Sequence, residues 1–151
     1  MLTENNITIY APVDRIFALA ADVLRWPEIL PHYRWVRLIK DDGESRIVEM
    51  AALRDGIPVK WTSIQRPVPH ENKIIFRHIG GFTKGMYVEW TMREEKTTEG
   101  LAVHVKITHE WSLAWPIIGP FIAEHVIGRF FVHNIAGKTL TIIKFLSEHT
   151  G

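Results

Sequence analysis

The chain contains no cysteine among its 151 residues. This absence excludes disulfide bonds and metal sites built on thiolate ligands. A sequence without cysteine also fits a reducing compartment, and the cytoplasm is therefore the expected location. The first six residues likewise lack a basic region followed by an apolar run, so no signal peptide is expected.

An excess of charge of one sign is also missing, because 18 Lys and Arg residues face 17 Asp and Glu residues and leave a net charge of +1. Nucleic-acid-binding domains usually carry a strong basic excess, so no nucleic-acid partner is expected. The apolar run from Trp111 to Phe121 is interrupted by Pro116 and Pro120 and is too short to span a bilayer. If residues 115–121 are exposed, they are expected to contact a membrane or a protein partner only transiently.

Internal repeats, low-complexity segments and linkers are absent too, and the length suits one domain spanning residues 1–151. Hydrophobic residues make up 46% of the chain, which is ordinary for a globular protein. Tryptophan is the exception, with six residues. Such large aromatic side chains suit a packed core, and they equally suit the wall of a pocket for a flat apolar ligand.

Proline is absent between Phe121 and Ser147, and apolar residues recur there at the spacing of one helix face. The recurring positions are Ile122, Val126, Phe130, His133, Gly137 and Leu140. The pattern predicts a long C-terminal helix with so much apolar surface that a large element must cover it. Glycine inside a helix costs about 1 kcal/mol relative to alanine. Gly128 and Gly137 therefore indicate a close backbone approach or space left for another group.

Between the termini the hydrophobic period changes to two, which predicts β-strands. The clearest case is residues 103–113, where apolar and polar residues alternate and predict an antiparallel strand with one buried face. The seven predicted strands are Ile7–Ile9, Tyr33–Lys40, Arg46–Leu53, Val59–Arg66, Lys73–Ile79, Met86–Arg93 and Val103–Leu113. Two short helices are predicted after the first strand, one starting at Pro12 or Asp14 and one around Glu28–Leu30, with an interruption at Trp26–Pro27. The economical α+β fold is a curved antiparallel sheet wrapped around the long C-terminal helix.

Two segments near the N-terminus form a motif: Ile9-Tyr-Ala-Pro12-x-x-x-Ile-Phe17, then Asp22-x-x-x-Trp26-Pro27-x-x-x-Pro31. This motif resembles the opening of the START-like (SRPBCC) superfamily, and most closely its bacterial polyketide cyclase/aromatase and coenzyme Q-binding members. The order of predicted elements is similar to the helix-grip fold of that superfamily along the whole chain. The resemblance implies a deep cavity between the sheet and the C-terminal helix that holds a hydrophobic or aromatic molecule.

The resemblance also implies which side chains line that cavity. The matching positions are the aromatic residues Trp26, Tyr33 and Trp61 and the strand residues Trp90, Ile107, His109 and Trp111. The polyketide aromatases carry an arginine four residues after the position of Trp61, where it orients the polyketide and polarises a carbonyl. Gln65 stands there in this chain, and a second arginine position on the next strand corresponds to His78. Because Gln65 donates a hydrogen bond but carries no charge, this departure favours ligand binding over cyclisation.

Two histidines on apolar faces are candidates for a polar contact with a ligand. His109 lies on the predicted buried face of a strand, and His133 lies on the apolar helix face near Phe130, a further candidate for the cavity wall. Each histidine is either a core residue bonded to the backbone or a group that contacts a ligand or acts as a general acid or base, given an ordinary pKa of about 6.5. Tyr33 and Gln65 likewise bond either a ligand oxygen or a core partner.

A metal site or a cofactor is not expected. None of the eight histidines forms a His-x-His or His-x-x-x-His pair, and thiolate ligands are absent. The loop from Gly80 to Gly85 lacks the Gly-Lys-Ser/Thr ending of a phosphate-binding loop and joins two predicted strands. A flexible gate over the mouth of the cavity is the better interpretation of this loop.

Three functions are left open by the sequence. The first is the binding of a hydrophobic small molecule of aromatic, polyketide-like or isoprenoid type. The second is a polyketide cyclase/aromatase-type enzyme that acts by confining and orienting its substrate. The third is a partner-binding module with a filled core. A cavity of roughly 300 Å³ or more favours the first two, and solid packing between sheet and helix favours the third. The sequence determines neither the ligand nor the oligomeric state.

Overall fold

The computed structural model describes residues 2–81, 83–111 and 133–149. The strands are Leu2–Ile9 (β1), Tyr33–Asp41 (β2), Arg46–Arg54 (β3), Ile57–Val68 (β4), Lys73–Gly81 (β5), Tyr87–Thr97 (β6) and Gly100–Glu110 (β7). The helices within these ranges are Val13–Ala21 (α1), Trp26–Ile29 (α2) and His133–His149 (α3), and single 3₁₀ turns lie at Val23–Arg25 and Pro69–Glu71. All strand pairs are antiparallel, in the order β1-β7-β6-β5-β4-β3-β2. The predicted α+β helix-grip fold is confirmed, with two short helices after the first strand and the C-terminal helix packed on the sheet.

One face of the sheet is buried because apolar residues alternate along its strands. In β7, Val103, Val105 and Ile107 are no more than 1% exposed, whereas the residues between them are partly exposed. On the neighbouring strands Trp61 and Trp90 are 6% and 3% exposed, which places the large aromatic side chains on the inside. The last strand ends at Glu110, three residues earlier than predicted.

The C-terminal helix is held against the start of the chain. Lys144 Nζ donates to the carbonyl oxygen of Thr8 at 2.7 Å, and an Arg15 guanidinium N–H donates to the carbonyl oxygen of Ser147 at 2.8 Å. Among the described residues, a Cβ at Gly137 would meet only Asn5 Nδ2 within 4 Å, at 3.9 Å, so no close backbone approach by these residues requires the glycine. Its place in the helix leaves room beside β1.

The first part of the predicted C-terminal helix lies outside the described residues. The helix predicted from Phe121 is described from His133 onward, and its earlier part, including Gly128, lies outside the described residues. The same holds for the 115–121 stretch considered for membrane or partner contact. In the portion of the chain that is described, no helix combines the length and the hydropathy needed to cross a membrane.

The break between the two short helices lies earlier than predicted. Asp22 leaves the helical region directly after α1, with φ −86° and ψ 67°. Trp26 is itself helical, with φ −54° and ψ −39°, although it precedes Pro27, a position that disfavours this conformation. Its indole N–H donates to the carbonyl oxygen of Leu19 at 3.2 Å, and the residue is only 3% exposed. The predicted interruption at Trp26–Pro27 is therefore wrong, because burial of the indole outweighs the local preference.

Candidate functional site

A cavity lies between the inner face of the sheet and α3. Fourteen described residues form its wall: Trp26, Tyr33, Met50, Trp61, Phe76, His78, Met86, Val88, Trp90, Ile107, His109, Ile135, Ala136 and Thr139. Space wide enough to admit water amounts to about 60 Å³, whereas counting narrow crevices and space open to solvent gives about 550 Å³. A ligand needs the wide space, and this is well below the roughly 300 Å³ of a typical small-molecule pocket.

An aromatic cluster around Trp26 forms much of this wall. The ring of Trp26 meets that of Tyr33 edge-on at a centroid distance of 5.0 Å. Its distances to Phe76 and Trp90 are 6.2 Å and 6.1 Å, and Tyr33 lies 6.0 Å from Trp61. These separations are typical of favourable aromatic pairs, so the rings hold one another in place and present flat apolar surfaces to the cavity.

Two histidines bring polar atoms to the aromatic wall. His78 stacks on Trp61 with centroids 5.8 Å apart and planes 9° apart, and its Nδ1 lies 2.7 Å from Thr83 Oγ1. His109 is partly exposed as a residue, but its Nδ1 is buried and has no hydrogen-bond partner in the described structure. Burial lowers the pKa of His78 to about 4, and burial followed by the charges of His78 and His133 lowers the pKa of His109 to about 3. Both imidazoles are therefore neutral at pH 7, each with one N–H donor and one lone-pair acceptor.

A second polar group joins the sheet to α3. Burial raises the pKa of Tyr33 well above its ordinary value, and a hydrogen bond with Thr139 opposes part of this increase. Thr139 Oγ1 donates to the carbonyl oxygen of Ile135 at 2.8 Å and lies 2.8 Å from His32 Nε2. Burial, with the nearby charge of Lys138, lowers the pKa of His32 to about 4. The α3 side of the cavity thus carries the hydroxyl group of Thr139, and the imidazole of His32, neutral at pH 7, contacts that hydroxyl from outside the described wall.

Most of the side chains predicted to contact a ligand come together around this cavity. Seven of the eleven line it: Trp26, Tyr33, Trp61, His78, Trp90, Ile107 and His109. The strand residues among them share the inward side of the sheet. Alternation predicted this side for Ile107 and His109, and the family resemblance implied it for the others. Their contact with a ligand stays a prediction.

Gln65 lies on the same strand as Trp61 but outside the cavity wall. Four residues of strand separate the two positions by about 13 Å. Gln65 is fully buried, and its Nε2 donates at 2.8 Å to the carbonyl oxygen of Ala21, the last residue of α1. An Arg46 guanidinium N–H donates to the same oxygen at 2.8 Å. Gln65 therefore satisfies the end of a helix through its Nε2, while its buried Oε1 has no hydrogen-bond partner in the described structure. Its contact with a ligand stays a prediction.

Three further predicted residues are not in the described wall. Trp111 follows β7 and is 4% exposed, which places it in the core beside the cavity. His133 is the first described residue of α3 and is partly buried, and its charge acts on His109 from outside the wall. Phe130 lies outside the described residues.

The loop predicted to be a gate is bound to the histidine end of the cavity. Thr83 is 2% exposed and contacts His78 through its hydroxyl. Gly85 N–H donates to the carbonyl oxygen of His78 at 2.9 Å, and His78 N–H donates to that of Met86 at 2.9 Å. The described part of this loop therefore supports the orientation of His78.

Seven wall residues were not part of the predicted site: Met50, Phe76, Met86, Val88, Ile135, Ala136 and Thr139. Alternation alone indicates some of them, since Phe76 precedes His78 by two residues and shares its face. Thr139 gave no such signal, because a threonine on an apolar helix face points to a site only once its contact with Tyr33 is known. Within the ranges that the structure describes, no group of three or more His, Asp or Glu side chains is arranged to hold a metal ion.

Known proteins are similar to this chain in sequence and in fold. Residues 9–129 match the family model for polyketide cyclase/dehydrase and lipid transport. A candidate polyketide cyclase of Streptomyces cyaneus is 26% identical over 106 residues, which is 68% of each chain. The crystal structure of the Zhui aromatase/cyclase from a Streptomyces species has a TM-score of 0.80 at 21% identity, over 98% of this chain and 93% of its own. A START superfamily protein from Mycobacterium smegmatis has a TM-score of 0.71 at 13% identity, over 99% of both chains.

At such low identities the two solved structures establish the fold alone, whereas the family model covers most of the sequence. The chain therefore belongs to the polyketide cyclase/dehydrase and lipid transport family.

Proposed function

We propose that this protein binds a hydrophobic small molecule of aromatic or polyketide-like character in the cavity between the sheet and α3. The observation that carries the proposal is an aromatic wall containing uncharged polar side chains, among which the buried Nδ1 of His109 has no partner in the described structure. An unpaired buried polar atom costs about 1–3 kcal/mol. His109 Nδ1 is the atom of this kind that belongs to a residue of the described cavity wall. A ligand oxygen placed in the cavity would satisfy this nitrogen.

The relatives support the chemical class of the ligand. One is named as a candidate polyketide cyclase, and the similar solved structure is an aromatase/cyclase. Fold similarity does not transfer activity by itself, so these names serve as analogy beside the aromatic wall.

The cavity is too small for an aromatic ligand unless its wall moves. A volume of about 60 Å³ holds about two water molecules rather than a ring system, so binding requires the wall to move. Crevices already separate the wall side chains, and rotamer changes would join them into a larger space. Met50 and Met86 are unbranched and flexible, which suits them to such changes. The volume taken alone favours the filled-core alternative, and a binding experiment separates the two.

A cyclase/aromatase-type enzyme is the second candidate, and the convergence of His78 and His109 favours it. Such a site would hold a reactive chain in one shape and gain rate from orientation. A general base works best when its pKa is near the operating pH, whereas burial lowers the pKa of these histidines to about 4 and about 3. The geometry therefore supports binding and orientation better than proton transfer at pH 7.

Filling the cavity from the helix side tests the proposal. Ala136 is 6% exposed and lines the cavity, so Ala136→Leu adds three carbon atoms to a space of about 60 Å³. Thr141→Leu places the same side chain on the exposed face of the same helix and is the matched control. We expect the wild type and Thr141→Leu to bind the uncharged fluorescent probe N-phenyl-1-naphthylamine, and Ala136→Leu to bind it at least about tenfold more weakly.

Circular dichroism should show the native fold in both variants. Equal probe affinity in a folded Ala136→Leu variant would place binding elsewhere, and no binding to the wild type would support the filled core. Native mass spectrometry of protein purified from cell extract would then identify the class of a retained ligand.

A further inference from the structure

We infer that the cavity selects an uncharged aromatic ligand carrying a hydroxyl group, a phenol or an enol, over the matching carboxylate. The inference rests on the proposed function and adds the polar chemistry of the ligand to it. It follows from the lack of charged side chains in the described wall, from the unpaired nitrogen of His109 and from the flat aromatic surfaces beside that nitrogen.

The described wall of the cavity contains no Asp, Glu, Lys or Arg. Its only ionisable members are Tyr33, His78 and His109. Burial raises the pKa of Tyr33 and lowers those of His78 and His109 to about 4 and about 3, so all three are neutral at pH 7. A carboxylate moved from water would meet no Lys or Arg side chain in the described wall, and an unpaired buried charge is strongly unfavourable.

The hydroxyl requirement follows from His109. Its Nδ1 is buried without a partner in the described structure, and in a neutral imidazole this nitrogen is a donor in one tautomer and an acceptor in the other. A hydroxyl group donates and accepts, so it pairs with either tautomer. An unsubstituted ring offers neither and would leave the nitrogen unpaired.

The aromatic requirement follows from the surfaces next to that nitrogen. His78 is near enough for its charge to act on His109, and it stacks parallel to Trp61 at 5.8 Å. Trp90 lies on β6, which pairs directly with the strand of His109. Flat rings on neighbouring strands favour a flat ligand whose hydroxyl points toward β7.

A matched ligand series tests the inference. 2-Naphthol, 2-naphthoate and naphthalene share one ring system and differ in the polar group, and each can be titrated at pH 7.5 against bound N-phenyl-1-naphthylamine. We expect 2-naphthol to displace the probe at a concentration about tenfold lower than either of the other two, the equivalent of one hydrogen bond.

Two histidine variants test whether His109 causes the preference for 2-naphthol over naphthalene. His109→Leu should reduce the advantage of 2-naphthol over naphthalene to about one. His104→Leu is the matched control, because His104 lies on the same strand, faces outward and bonds Asn6 Oδ1 at 2.9 Å. It should keep the advantage.

The outcomes separate the two proposals. If 2-naphthoate binds as tightly as 2-naphthol, or if His109→Leu keeps the full advantage of 2-naphthol, the inference is overturned while the proposed function stands. If none of the three compounds, naphthalene included, displaces the probe, the proposed function fails as well. Should His109→Leu not fold, the comparison of 2-naphthol with 2-naphthoate on the wild type decides alone.

Discussion

A single methyl group at Gly81 should disturb both the sheet and the cavity. Gly81 ends β5, pairs with Trp61 of β4 and has a φ of +90°. A Cβ at this position would lie 2.7 Å from the carbonyl oxygen of Lys60 and 2.9 Å from the Cα of Trp61. Both contacts are with backbone, so no side-chain rotation relieves them. The two strands would have to separate beside Trp61, a member of the cavity wall.

The cost of Gly81→Ala has two parts. A residue with a Cβ in the left-handed region loses about 1–2 kcal/mol. Crowding against a packed neighbour adds about 1–3 kcal/mol. We therefore expect the free energy of unfolding to fall by about 2–5 kcal/mol.

Gly43→Ala measures the conformational cost of a Cβ in the left-handed region without the crowding. Gly43 has a φ of +94°, and a Cβ there would meet no atom of the described residues within 4 Å, so the conformational cost of about 1–2 kcal/mol applies. Urea unfolding followed by tryptophan fluorescence compares the two variants. With a slope of about 2 kcal/mol per molar, the midpoint of Gly81→Ala should be about 0.5–1.5 M below that of Gly43→Ala. Equal midpoints would refute the tight pairing of Gly81 with Trp61.

Two further predictions concern the polar groups around the cavity. Stability should decrease as the pH falls from 7 toward 4, because the pKa values of His32, His78 and His109 lie below the unfolded value and the unfolded chain binds protons first. Each histidine should cost about 2 kcal/mol at pH 5. Urea midpoints at pH 7 and pH 5 measure this change. His109→Leu should remove about a third of it, because three buried histidines contribute about equally. A flat profile would contradict the burial of these rings. Thr139→Val should cost about 1–3 kcal/mol because it leaves the buried His32 Nε2 without its acceptor, whereas the exposed Thr141→Val should cost less than about 1 kcal/mol. Thermal unfolding compares this pair, and equal losses would show that the His32 hydrogen bond adds no stability.

The strands could be predicted because their signal is local. Side chains alternate between the two faces of a strand, so Val103, Val105 and Ile107 indicate a buried face before any partner strand is known. The family resemblance placed Trp61 and Trp90 inside, where the structure has them. Local preference failed at Trp26, where a distant packing surface for the indole overrides the effect of the following proline.

The amino-acid sequence by itself determined the order of elements, the inward side of each strand and the aromatic character of the enclosed space, because backbone geometry ties these to residue spacing. Only the tertiary structure decided what individual polar groups do. Gln65 satisfies a helix end 44 residues away, and His32 meets Thr139 across 107 residues. The width of the cavity was decided there too, since it depends on how side chains from six strands and two helices pack against one another.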